Sequence, residues 1–296
     1  LYGVPRYEEV DPTPIFSILF PIMFGLMFCD LGHGITLTIF GLFLAKKTKG
    51  DLAKLGWTLI PCGIVASIFG LLFGEFFLLE LHIIKPWLHP LHEINKIFFI
   101  ALVFGVIQLI LAMILSIISK LRAKEFRELI FGPFSLAGLL LYITGLTLVV
   151  KAKLEVTKLT QYPILLYLTI FFLILIFIGP SLYDLIKEGK IKADSIMEGL
   201  SGTIEGFLSL LANSLSYIRL GAFALAHVAM GMATKMMLDM TGSIFWKALS
   251  LVLMNLLVLC LEGLSAGIQA TRLMFYEFAT KFLSGGGVEY TPLKTP

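Results

Sequence analysis

The chain has 296 residues, of which 58% are hydrophobic and only 15% charged, with 25 phenylalanines and a formal net charge of +3. That balance excludes an ordinary soluble domain, and the absence of a dense basic patch sets nucleic-acid binding aside. What remains is an all-α polytopic membrane helical bundle, embedded in the lipid bilayer as an integral multi-pass protein.

The opening LYGVPRYEEVDPTP has no initiator Met, no cationic n-region and no cleavage signal, so residues 1–14 read as a junction to an N-terminal cytosolic region. Apolar runs then fall near 14–30, 33–46, 56–79, 95–119, 129–150, 163–184, 199–239 and 244–284. The first two are short and separated only by DLGHG, so they are either two spans or one broken helix, giving eight or seven crossings. Eight crossings with an inside start put fourteen lysines and arginines inside and seven outside, the bias expected of cytoplasmic loops. On this reading residues 15–284 are the membrane domain, with 15–198 a scaffold and 199–284 a pair of long tilted helices, and 285–296 a cytoplasmic tail.

Along the scaffold, Asp30 and His33 in DLGHG are expected to cap helix ends at a tight turn. Glu75 in FGLLFGEFF pairs structurally or lines a polar cavity. FGLMFCD at 24–30 echoes FGLLFGE at 69–75, which either marks related hairpins or places glycines at close helix contacts. His82, His89 and His92 sit in an outer loop, where His89 and His92 could bind a metal but solvated histidines are the plainer reading. Cys29, Cys62 and Cys260 lack metal-ligand spacing and read as small hydrophobes in apolar runs. No metal or cofactor is expected.

The chemistry gathers in the last two helices. Arg219 lies within SLSYIRLGAFALAH, where a charge at mid-bilayer costs about 2.5–3.5 kcal/mol and so should face a protein interior, a partner or water. At about 100° per residue, Glu205, Ser209, Asn213, Ser216 and His227 share a stripe with it. In the last helix Asn255, Glu262, Ser265, Gln269 and Tyr276 share a stripe with Arg272. Glu277 is a candidate for the inner mouth. The stripes either form polar routes on the two sides of the arginines or glue helices together through charge pairs.

Four stretches, SLSYIRLGAFALAH, EGLSAGIQATRLMFYEFATKFLSGGG, FPIMFGLMFCDLGHG and YGVPRYEEVDPTP, resemble the membrane domain of the a subunit, or subunit I, of V-type and A-type rotary ATPases. The resemblance implies eight membrane helices in a stator beside a ring of c or K proteolipids. It also implies partners in the peripheral stalk and the other rotary ATPase subunits. It further implies that Arg219 faces the ring carboxylate, that Arg272 supports that site, and that Glu205, His227 and Glu262 line the ion paths for H⁺ or Na⁺. The eukaryotic pattern has histidine at Gln269 and tryptophan at Gly221, so no titrating role carries over to Gln269. These departures point to the archaeal or bacterial branch and its cell membrane.

Near a fixed guanidinium a ring carboxylate is held ionised, whereas in lipid it must be neutral. An arginine between two half-channels therefore forces release and reloading of the ion. The chain contains no Gly-x-x-x-x-Gly-Lys-Ser/Thr phosphate loop, so nucleotide chemistry is expected in other subunits. A stand-alone secondary transporter or cation channel is the alternative, and a purely structural membrane anchor is a third reading.

Overall fold

The computed structural model describes residues 6, 9–80, 93–152, 161–189, 193–283 and 285–287. His82, His89 and His92, residues 1–5, 7 and 8 of the 1–14 junction and the tail beyond residue 287 lie outside the described residues.

Helices dominate, as a chain in lipid requires if each backbone group is to be satisfied internally. The described helices are α1 (Thr13–Met27), α2 (Leu31–Lys47), α3 (Asp51–Phe73), α4 (Ile94–Ala123), α5 (Phe126–Phe131), α6 (Leu136–Lys151), α7 (Pro163–Glu188), α8 (Ala193–Ser216), α9 (Ile218–Met240), α10 (Ile244–Leu257) and α11 (Gly263–Arg272). Two π-helical segments, Val258–Glu262 and Leu273–Phe278, flank α11, and a 3₁₀ turn closes the series at Ala279–Lys281. Among the described residues six stretches are long and apolar enough to cross a membrane, and α1 is a shorter apolar helix. The protein is membrane-embedded.

Terminal chemistry sets several of the boundaries. Proline stands in the first turn of α1 and of α7, where its missing N–H costs nothing. Gly74 ends α3 in the left-handed conformation that lets the chain leave a helix at once.

The chain divides into two compact units. One comprises residues 12–104 and 216–276. Here α1 and α2 are separate helices, because the chain breaks at Phe28–Asp30 and Asp30 starts α2 as its N-cap, accepting from the His33 N–H at 2.8 Å. Contacts with α3 show the reversal. Gly25 faces Val65 and Ala66, Gly70 faces Asp30 and Leu31, and Gly34 returns to Gly63 and Ser67. A β-carbon at Gly70 would lie 2.1 Å from the Leu31 nitrogen, so only glycine allows this approach. Beyond α3, Glu75–Phe76 and Leu79–Glu80 form a two-residue antiparallel hairpin, β1 and β2.

The other unit comprises residues 1–11, 105–215 and 277–296. Its expected fifth span is divided into α5 and α6 by Gly132–Ser135, where the Ser135 hydroxyl donates to the Glu128 carbonyl at 2.6 Å and to the Gly132 carbonyl at 2.9 Å. Pro133 packs closely against Gly138 and Gly206, and α7 packs against α8 where Gly199 admits the Phe177 carbonyl.

The long helix expected around Arg219 is present as α8 and α9, which meet at Tyr217 with αR backbone angles in one span from Ala193 to Met240. One expectation is corrected. The constant rotation assumed for the last helix fails at both π segments, which bond i to i+5 and so turn all later residues about the axis.

Candidate functional site

In the first unit a buried polar group assembles from four chain segments. Asp30, wholly buried at the break before α2, accepts backbone N–H bonds from His33, from Phe77 at 3.1 Å and from Leu78 at 2.9 Å. His33, one turn into α2, brings Nδ1 to 3.3 Å from Asp30 Oδ2. His227 on α9, also wholly buried, brings Nε2 to 3.7 Å from the same oxygen. Its Nδ1 lies 2.9 Å from Glu262 Oε2. An ionised carboxylate can only accept, so this contact puts a proton on Nδ1.

Glu75 adds a third acid. It is 5% exposed, and its Oε2 is directed at Gly231 on α9. Burial pushes its pKa up to about 7, with His227 acting to lower it and Asp30 and Glu80 to raise it. Phe28 and Phe77 pack edgewise or tilted against the two imidazoles and wall off the group.

The expected residues divide by unit. His227 and Glu262 meet as just described. Arg219, Ser216, Ser265 and Gln269 are half-buried on α8, α9 and α11, and Arg272 is exposed at the end of α11, against the second π segment. Gln269 Oε1 has no hydrogen-bond partner among the described residues. Asn255, at the far end of its stripe, turns back to the Leu251 carbonyl at 2.8 Å.

In the second unit Asn213 donates to the Ser209 hydroxyl at 3.1 Å, and Lys281 reaches the same oxygen at 2.5 Å. The Lys281 ammonium lies 3.9 Å from the centre of the Phe134 ring, a cation–π contact, with Glu205 and Glu277 as its nearby charges. Glu205 is exposed, whereas Glu277 is 4% exposed. Two polar clefts of about 180 and 160 Å³ share Lys120 and Glu128. Lys281 lines the first and Glu205 the second.

The largest cavity described, about 740 Å³, is apolar and carries none of the expected ion-path residues. Cys62 and Cys260 both line it, the first buried and the second exposed, and Cys29 is buried elsewhere.

Reading the sequence assigned Asp30 and His33 only to capping and counted Lys281 only as a loop charge. The capping is present, but the same carboxylate also joins the histidines. The missed signal was the echo itself: FGLMFCD and FGLLFGE each end a helix and set an acid just beyond it.

With this arrangement in view, comparison with known proteins is decisive. The chain matches the V-type ATPase 116kDa subunit family over residues 1–87 and 187–295. It belongs to that family. It is 30% identical to the A-type ATP synthase subunit I of Pyrococcus horikoshii, over 99% of this chain and 44% of the relative. It is 28% identical to the subunit I proteins of Aeropyrum pernix and Methanocaldococcus jannaschii, over 99% of this chain and 49% and 46% of those relatives. The chain thus spans about half the length of these relatives. The residues of the V-type ATPase 116kDa subunit family match include Asp30, His33, Glu75, Arg219, His227, Glu262 and Arg272.

Proposed function

We propose that this chain is the membrane part of the a, or I, stator subunit of a rotary ATPase in an archaeal or bacterial cell membrane, with peripheral-stalk and other rotary subunits as partners. It gives H⁺ or Na⁺ two offset half-channels past a ring of c or K proteolipids, coupling transport to ATP hydrolysis or synthesis elsewhere in the complex. The observation that carries this reading is the 2.9 Å contact of His227 with Glu262, extended to Asp30 inside a membrane-embedded bundle. Such groups are costly in lipid unless they serve a path.

The roles follow from position and chemistry. Glu262, His227, Asp30 and Glu75 form the outer route. Glu205, Ser209, Asn213, Lys281 and Glu277 form the inner one, reached through the clefts beside Lys120. Glu205 precedes Arg219 by fourteen residues and His227 follows it by eight, so the arginine stands between the routes along the chain. Arg272 presents an exposed surface to ring carboxylates, whereas Arg219 is half-buried with its Nη1 buried. Ser216, Ser265 and Gln269 supply neutral polar contacts around that surface.

The break at Phe28–Asp30 favours a second reading, since discontinuous helices also build substrate sites in secondary transporters. One purification separates the two. The stator reading expects co-isolation with a proteolipid ring and loss of coupled transport in Arg219→Ala with assembly intact. Full ATP-driven transport by assembled Arg219→Ala complexes, or ion uptake by the full-length subunit alone, would overturn it.

A further inference from the structure

We infer that Asp30, His33 and His227 form a binding site for a first-row divalent transition metal, with Zn²⁺ the fitting probe. The three side chains are 0%, 1% and 0% exposed, and each offers one ligand atom within 4.8 Å of the others. A tetrahedral Zn²⁺ with bonds near 2.0 Å sets neighbouring ligand atoms about 3.3 Å apart. Asp30 Oδ2 already lies 3.3 Å from His33 Nδ1 and 3.7 Å from His227 Nε2.

The nitrogens that face this point approach only the Asp30 carboxylate, and without hydrogen-bond geometry. Neither ring nitrogen of His33 has a hydrogen-bond partner among the described residues, nor does His227 Nε2. Buried polar atoms are rarely left so, because an unmade hydrogen bond carries the full desolvation penalty of the group. A bound cation satisfies His33 Nδ1 and His227 Nε2 together.

The surroundings are those of a metal ligand set. Glu262 holds His227 Nδ1 at 2.9 Å, the carboxylate–histidine support that fixes a ligating tautomer. The Phe77 and Leu78 amides and the His33 amide fix the Asp30 carboxylate. The charges of Asp30 and Glu262 balance a divalent ion, which makes its burial tolerable. Two imidazoles with one carboxylate select Zn²⁺-like ions over Mg²⁺ or Ca²⁺. Water completes the fourth position.

Binding does not require that the chain transport anything, but it would block an outer route through His227 Nε2. The test uses the full-length subunit in detergent, purified without a histidine tag and stripped with chelator. Equilibrium dialysis against Zn²⁺ should give one ion per chain, with affinity at least tenfold weaker in His33→Ala and roughly 10- to 100-fold weaker in Glu262→Gln. A triple His82→Ala, His89→Ala, His92→Ala variant should keep the ion. X-ray absorption of the unaltered protein, which needs no variant to fold, should show two imidazole ligands. Absent saturable uptake, a shell without imidazole, unchanged affinity in His33→Ala, or loss of the ion in the triple variant would each overturn the site. If Zn²⁺ binds as described yet ATP-driven transport by the assembled complex is insensitive to it, the site stands and the outer-route role of His227 falls.

Discussion

Asp30 Oδ2 accepts the backbone N–H of Leu78 at 2.9 Å across 48 residues of chain, and through its other oxygen it also holds Phe77. Phe77 and Leu78 have φ of 49° and 66°, a left-handed pair that a two-residue hairpin normally fills with Asn-Gly. Such conformations cost about 1–3 kcal/mol each unless the surroundings compel them. Here the compelling element is one buried carboxylate making charge-assisted bonds. Asp30→Asn removes the charge and one acceptor, so it should destabilise the protein by about 2 kcal/mol. It should also raise hydrogen exchange at residues 75–80 more than elsewhere. Unchanged exchange there would mean that the hairpin holds itself.

The glycine contacts make a sharper steric test. Gly70→Ala would put a methyl 2.1 Å from the Leu31 nitrogen, a backbone atom that cannot swing aside. We expect a loss of about 1–3 kcal/mol, as for overpacking of a well-packed interior. Gly145, in the interior of α6, has nothing within 4 Å of an added β-carbon. Gly145→Ala should therefore be neutral or stabilising by up to about 1 kcal/mol through helix propensity. Thermal unfolding of the two variants in one detergent checks the contrast.

Much of the helical framework was legible because lipid imposes it: apolar runs of sufficient length have few alternatives to a helix. His227 and Glu262 were legible as polar residues on facing stripes. Asp30, His33 and Lys281 were not legible as partners, because their contacts span distant segments and no local period records them. The π segments beside Glu262 and Arg272 were hidden for a related reason. An extra residue per turn is selected by packing, and neither VLCLE nor LMFYEF announces it.

Lys281 supplies a prediction for the inner group. It donates to Ser209 and sits between the charges of Glu205 and Glu277. Lys281→Met keeps much of the side-chain volume but removes the cation near Glu205 and buried Glu277. Under the stator reading, coupled transport should fall roughly tenfold, equivalent to about 1.4 kcal/mol in the barrier. Lys281→Arg should retain most of it. Transport assays on assembled complexes reconstituted in vesicles measure both, and equal rates for Met and native lysine would remove Lys281 from the inner route.

Glu75 provides a pH signature in stability. Burial beyond the end of α3 raises its pKa from 4.5 to about 7, the nearby charges of Asp30 and Glu80 add to the rise, and His227 opposes it. The folded protein therefore binds a proton here that the unfolded chain has already released between pH 4.5 and 7. Stability contributed by this group is complete below pH 4.5, declines as pH rises through the interval and is lost above about 7. The full effect of a shift this size is on the order of 3 kcal/mol. Glu75→Gln keeps a neutral side chain at every pH, so it should flatten that decline and stabilise the protein near neutrality. Thermal midpoints at pH 4.5, 6 and 7.5 for native and Glu75→Gln proteins decide the matter. Parallel curves would show that Glu75 ionises in the folded protein as easily as in the unfolded chain, with water or a cation reaching its carboxylate.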